Sequence, residues 1–335
     1  MRVATIHEVA STAGVSASTV SRVLNGRTDV SADLAARVHA AVKELDYRPN
    51  SIARNLRRRA TMVWGLIISD IGNPFFTAMV RGIEDAAHEA GYSLVLCNSD
   101  DDLDKEQRYI EVALAEQMAG VIISPSSEAS TDLSALIERG IPVVAVDRRV
   151  GRLDIDTVLV DNVWGARLAT QHLMDAGCRR IACITGPTRT TTAAERLYGF
   201  RQAHEVAGLE IDEDLVILEN FKEDGGYNGA ERLLRNERRP DGMFVANNLM
   251  TVGALEALVD AGVPIPRDML LVGFDDIPWA RLTRPRLTTV QQPTYEMGRE
   301  AGRLLAARID HQQPGLPRTI VLPPSLQVRE SSHRE

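Results

Sequence analysis

A guanidinium fork donates hydrogen bonds in pairs and a carboxylate accepts them in pairs, so an arginine and an aspartate facing one another can chelate neighbouring hydroxyls of a polyol. The chain offers Arg196 with Asp275, and Asp147-Arg148 as a second acid–base couple. Each follows an apolar run: Asp147 comes after PVVAV, Asp275 after MLLVGF, and Arg196 beyond RIACIT. Asp70, Phe75 and Phe76 follow MVWGLII, and Ser124 ends GVIIS. Thr190 and Thr192 sit in the threonine-rich GPTRTTT, Phe221 comes after LVIL, and Asn247 ends GMFVAN. Aromatic faces stack on sugar or base rings and leave a polar rim free. Blander roles stand beside these. Phe75 and Phe76 can cap a core, Arg196 and Asp275 can pair across two lobes, and Asn247 can cap a helix.

The elements that must position these residues are legible in the apolar pattern. Runs at 62–68, 92–98, 120–124, 142–146, 157–160, 180–185, 215–218, 242–247 and 269–274 alternate with amphipathic stretches, most of them of helix length. Continuous apolar strands separated by helices predict parallel sheets covered on both faces. The pattern runs twice, over about 61–160 and about 163–289, and the tail adds a helix and a strand after the second sheet. Two such sheets side by side turn their strand carboxyl ends toward a shared cleft, where the residues above would converge.

The first sixty residues differ in character. They carry a net charge of +5, whereas the remaining 275 carry −13. A basic head on an acidic body suggests a nucleic-acid module joined to something else. Thr5 and Glu8 form a capping-box pattern, with Ile6, Val9, Ala10 and Ala13 as one apolar stripe behind it. Gly14 supplies a turn, Ser16 caps a second helix, Asn25-Gly26 stops it, and Ser31 starts a third. Helix, short glycine turn, helix is the helix-turn-helix arrangement. Val20, Val23 and Leu24 must face the other helices, which leaves Ala17, Ser18, Ser21 and Arg22 for a major groove. Arg22 suits a bidentate contact to guanine, and Ser16, Thr19, Ser21 and Asn25 suit phosphate oxygens. Beyond Pro49, Asn50 can cap a short helix over 51–58. There Arg54, Arg57 and neighbouring arginines surround Ala53 and Leu56, a composition fit for phosphate contacts and a minor-groove wedge.

The stretch TIHEVASTAGVSASTVSRVLNG, continued by VSADLAARVHAAVKELDYRPNSIARNL, resembles the DNA-binding head and hinge of the lactose/galactose repressor (LacI/GalR) family, and the likeness runs through the whole chain. The resemblance implies base reading by Ala17, Ser18 and Arg22, with Leu56 inserted into the minor groove by paired hinge helices. It implies an all-α helix-turn-helix head at 1–48, a hinge at 49–60, and a periplasmic-binding-protein-like body at 61–335. The first lobe would span about 61–161 and 292–322, and the second about 162–291. Effector contacts are implied at Phe75, Phe76, Thr190, Thr192, Arg196, Phe221, Asn247 and Asp275. Relatives that bind purines carry an arginine where this chain has Thr190, which favours a sugar or related polyol.

The implied partners are a pseudo-palindromic double-stranded operator, a small-molecule effector and a second copy of the chain, in the cytoplasm. Competing classes fare worse. A sugar-binding protein without a regulatory role leaves the basic head unexplained. An enzyme lacks support: there is no G-x-G-x-x-G, no G-K pair for a phosphate loop, and no histidine flanked by a nucleophile and an acid. Cys97, Cys178 and Cys183 show no metal or disulfide spacing, and no cofactor or metal is expected. No apolar run approaches the roughly 20 residues of a membrane span.

Overall fold

The computed structural model describes residues 4–24, 30–47, 61–151, 153–310 and 315–333, and the chain divides into two units, Met1–Ala60 and Thr61–Glu335. In the first unit, α1 (Ile6–Ala13), α2 (Ala17–Leu24) and α3 (Ala32–Glu44) enclose a small core of Val9, Ala13, Val20, Val23, Val38 and Ala41. The capping box forms: Thr5 donates its N–H to the Glu8 carboxylate at 2.7 Å and accepts the Glu8 N–H on its hydroxyl at 3.3 Å. Gly14 ends α1 at φ 62°, a left-handed conformation in which a side chain is strained. Arg37 of α3 then donates to the Ala13 carbonyl at 2.6 Å, tying that turn to the third helix. The predicted stop at Asn25-Gly26 and the predicted helix over 51–58 lie outside the described residues.

The second unit runs β1 (Val63–Ile68), α4 (Pro74–Glu89), β2 (Ser93–Asn98), α5 (Leu103–Ala115), β3 (Gly120–Ile123), α6 (Ser134–Glu138), β4 (Val143–Val146) and β5 (Asp156–Val160). It continues with α7 (Asn162–Asp175), β6 (Ile181–Thr185), α8 (Thr191–Ala207), β7 (Val216–Leu218), α9 (Glu223–Leu234), β8 (Gly242–Val245), α10 (Asn248–Asp260), β9 (Leu270–Phe274) and β10 (Thr288–Gln291). Last come α11 (Thr294–Ile309), β11 (Thr319–Leu322) and β12 (Ser325–Gln327). The strands form two six-stranded sheets, ordered β11-β5-β4-β3-β1-β2 and β12-β10-β9-β8-β6-β7. Every pairing is parallel except β10 with β12. Central strands such as β3, β4 and β9 are buried along their whole length, as sheets covered on both faces require. No helix among the described residues is long and apolar enough to cross a membrane, and the three cysteines are buried and form no disulfide.

Two features depart from the sequence expectation. After α11, which packs on α4, and β11, which extends the first sheet beside β5, the chain crosses once more and β12 returns to the second sheet beside β10. The second lobe thus includes residues beyond 322 as well as 162–291. Neither β10 (TTVQ) nor β12 (SLQ) is an apolar run, so hydrophobic patterning passes over both. In β10, Thr288 and Thr289 are buried because their hydroxyls are bonded, to Ser332 at 2.6 Å and to Asp276 at 2.6 Å.

Helix α4 meets α11 where each offers a glycine. A Cβ on Gly82 would lie 2.2 Å from the Tyr295 carbonyl oxygen, and one on Gly298 would lie 2.2 Å from the Met79 carbonyl oxygen. The two backbones touch there, and no side chain fits between them. Gly82→Ala should therefore lower stability by about 1–3 kcal/mol, the usual cost of overpacking a tight core. Urea unfolding of the full chain measures this, and an unchanged midpoint would mean that the two helices separate without penalty.

Candidate functional site

In the head, α2 presents Ser18 and Arg22 to solvent, while Val20 and Val23 are buried and Leu24 packs on the core. Ala17 differs from expectation. It is half-buried against the head core, so only part of its surface is left for a base edge. Ser16 accepts the Thr19 N–H at 3.1 Å, and its hydroxyl lies 2.7 Å from that of Ser18 and 2.9 Å from that of Thr19. Ser31 accepts the Leu34 N–H, and the Thr5 hydroxyl is engaged with Glu8, so these side chains also hold the helices that carry them. Asn25, Asn50, Ala53, Arg54, Leu56 and Arg57 lie outside the described residues.

In the body, the two sheets have the same strand order, so β1 to β5 correspond to β6 to β10. Under that correspondence Asp147 after β4 matches Asp275 after β9. Their N–H groups extend the two ladders alike, donating to Val158 at 3.0 Å and to Val290 at 2.8 Å. Asp101 after β2 likewise matches Phe221 after β7. All four residues have left-handed φ (56°, 69°, 60° and 74° for Asp101, Asp147, Phe221 and Asp275). Backbone strain of this kind, of order 1–3 kcal/mol each, persists where the surroundings over-determine it and clusters at binding sites. Here the four residues line one cavity between the lobes.

That cavity is also lined by Asp70, Phe75, Phe76, Arg148, Thr192, Arg196 and Asn247, as the strand-end argument expects. Sequence reasoning missed Ser69, Asn73, Asp101, Lys222 and Gln292. Asn73 was findable, since Asn before Pro reads as a helix start, and Gln292 lies at a chain crossing. Two expected residues are elsewhere: Ser124 is fully buried and Thr190 is the N-cap residue of α8, and neither lines the cavity.

Arg196 is fully buried. Its Nε donates to Asn162 Oδ1 at 2.8 Å, its Nη1 donates to the Ala246 carbonyl at 2.7 Å, and its guanidinium lies 3.9 Å over the Phe274 ring. Two nitrogens and one face are thereby used within the second lobe, which leaves Nη2 for the cavity. Asp275 is held by Gln292 Nε2 at 2.5 Å; burial raises its pKa, against the pull of Arg196. Burial pushes Asp147 up to about 6, opposed by Arg148 and Arg196. Arg148 donates to Asp101 at 2.7 Å and to the Pro125 carbonyl at 3.1 Å. Burial opposes its charge, but Asp101 and Asp147 outweigh that and its pKa is raised.

Phe75 and Phe76 meet edge to face, centroids 5.0 Å apart. Phe221 rests where a Cβ on Gly186 would stand, its ring carbons 2.3–2.6 Å from that point. Asn247 caps α10 through Met250 N–H at 2.8 Å and donates to the Phe221 carbonyl at 2.9 Å, so its side chain holds the strained Phe221 in place. The result is a polar, hydrogen-bonding chamber with three aromatic walls. It has room for about three to five waters, at roughly 10–15 Å³ for each.

Comparison with known proteins agrees with both units. Residues 5–50 match the model for bacterial regulatory proteins of the lacI family, and residues 170–332 match a periplasmic binding protein-like domain. The chain is 38% identical to the ribose operon repressor of Escherichia coli (strain K12) over 98% of this chain and 100% of that one. Among solved structures, the complex of the transcriptional regulator CelR with cellobiose is 36% identical, covering 98% of this chain and 99% of that chain, with TM-score 0.76. The lac repressor dimer bound to operator and the anti-inducer ONPF is 26% identical, covering 99% and 100%, with TM-score 0.87. A helix-turn-helix head and a two-lobed body, aligned end to end with these regulators, place the chain in the lacI family of bacterial regulatory proteins.

Proposed function

We propose that this chain is a sequence-specific DNA-binding transcriptional repressor whose operator affinity is controlled by a neutral sugar or polyol held between the lobes. The observation that carries the effector reading is the convergence of Arg196, Asp147 and Asp275 in a cavity walled by Phe75, Phe76 and Phe221. Paired donors and acceptors match vicinal hydroxyls, and rings match the apolar face of a sugar. Ligands larger than the cavity require the lobes to part, as they would for a disaccharide such as the cellobiose of the CelR complex. Thr190 is uncharged and does not line the cavity, so that position gives no cation for a purine.

The operator is read by α2, with Arg22 on a guanine edge and Ser18 beside it. Leu56 opens the minor groove and arginines 54 and 57 neutralise phosphates. Two-fold operators call for two heads, and a homodimer is the assembly this requires. Effector and operator then influence one another reciprocally, by about 1–3 kcal/mol in typical cases.

Selection from random duplex DNA with the full chain, and thermal shift against sugars, polyols and nucleosides, test the two halves of this reading. Arg22→Ala should cost about 1–3 kcal/mol at one base position of the selected site; a uniform loss over all sequences would make Arg22 a phosphate contact. Asp275→Ala should abolish the calorimetric heat of the sugar the screen returns while operator binding persists. An unchanged heat would remove Asp275 from the contact.

Asp147 adds a pH dependence. A hydroxyl that donates to this carboxylate needs it ionised, so sugar affinity should fall as pH drops below about 6, by at most about tenfold per unit. For folding the sign is opposite. The folded-state pKa lies above the usual 3.8, so Asp147 favours the fold at low pH and loses that contribution as pH rises through about 6. Asp147→Asn should flatten both profiles, read by calorimetry and by denaturation midpoints at pH 5 and pH 7.

A further inference from the structure

The N-terminus of α8 is capped from the opposite lobe. Its N-cap residue, Thr190, makes no side-chain cap hydrogen bond. Instead Glu128, from the loop after β3, accepts the Thr191 N–H at 2.7 Å and also takes the Thr191 hydroxyl. The corresponding helix of the first lobe, α4, is capped locally, by Asn73 on the Phe75 N–H at 3.0 Å. The first N–H groups of a helix are orphan donors carrying partial positive charge, a natural seat for an anion. Here the seat opens beside Thr192, which lines the cavity, and a protein carboxylate already fills it.

The charges lining the cavity show the same economy. Lys222 pairs with Asp70 at 2.5 Å and Arg148 with Asp101 at 2.7 Å, while Arg196 lies in the field of Asp275 and Asp147. Among the described residues, the cavity lining thus sets four carboxylates (Asp70, Asp101, Asp147 and Asp275) against three cations (Arg148, Arg196 and Lys222), and the helix terminus has Glu128. Such a chamber holds no excess of positive charge, and a neutral polyhydroxy ligand needs none. A phosphorylated or acidic sugar would bring a second anion to groups already neutralised.

We propose that Glu128 sets the charge class of the effector, admitting uncharged sugars and excluding phosphorylated ones by occupying the α8 terminus from across the cleft. The proposal rests on reading the cavity as a sugar site. Glu128 is thereby a specificity-determining residue that also joins the lobes, together with Lys222–Asp70 and the bond from Asn248 to Asn73 at 2.8 Å.

The test uses the full chain, inorganic phosphate as probe in a phosphate-free buffer, and Glu128→Ala with Glu128→Gln as the isosteric second variant. Amide exchange at Thr191 reads the cap directly. In the wild type that amide should be protected and millimolar phosphate should change neither exchange nor melting temperature. In Glu128→Ala, exchange should quicken about five- to tenfold, the rate equivalent of a lost cap, and phosphate should restore protection and raise the melting temperature. Glu128→Gln should also respond to phosphate, with a smaller change in exchange. Unchanged exchange in Glu128→Ala, a phosphate response in the wild type, or a freed terminus that still ignores phosphate would each overturn the proposal. D-ribose titrated in parallel separates the two readings. Failure of the wild type to bind it or any other neutral sugar counts against the sugar site, while the phosphate result still decides the role of Glu128.

Discussion

A guanidinium withdrawn from water is the constraint around which the body is organised. Burying an ion costs several kcal/mol unless hydrogen bonds and opposite charge replace its hydration. Arg196 obtains that replacement from four places: Asn162 at the start of α7, the Ala246 carbonyl after β8, the Phe274 ring at the end of β9, and the carboxylates of Asp147 and Asp275. Three of these belong to the second lobe, but Asp147 stands on the first. The charge balance of one lobe is thus completed by the other, and a ligand that inserts hydroxyls between them acts on the same balance. This is why residues at a cavity of modest size can influence how the two lobes sit.

The repeated topology explains how such a site arises from ordinary elements. Two sheets of the same strand order turn equivalent strand ends to one cleft, so Asp147 and Asp275, and Asp101 and Phe221, line a single cavity. Each of these residues adopts a left-handed backbone that glycine would accept more easily. Local bonds over-determine that geometry. Asn247 holds the Phe221 carbonyl, Gln292 holds the Asp275 carboxylate, and Arg329 grips the adjacent Asp276 through two bonds of 2.7 and 2.9 Å. Ligand-facing atoms are therefore fixed by a layer of polar contacts behind them, a requirement for discriminating between similar small molecules.

Much of this was legible in the chain. The Thr5–Glu8 box, the Gly14 turn, and the Val20, Val23 and Leu24 stripe depend on residues a few positions apart, where propensity and periodicity act. The continuous apolar strands did the same for the sheets, and strand-end reasoning brought Asp70, Asp147, Arg196 and Asp275 to one place. What stayed hidden depends on distant partners. β10 is buried through threonine hydroxyls that find Ser332 and Asp276, residues no local pattern connects to it. Arg37 secures a turn 23 residues away, and Glu128 caps a helix 63 residues away. Ala17 shows the same limit in reverse: a small residue on the polar side of α2 still tucks partly into the head core.

The threading of the chain has a consequence for its birth on the ribosome. The first sheet begins with β1 yet is completed only by β11, and α11 covers α4 only after the second lobe has been made. β12 then closes the edge of the second sheet at Ser325–Gln327. Neither half can finish its architecture before the strands of the other have been made. The nascent polypeptide must carry both as incomplete, apolar-edged intermediates until β11 and β12 have emerged, a period in which shielding by chaperones matters most.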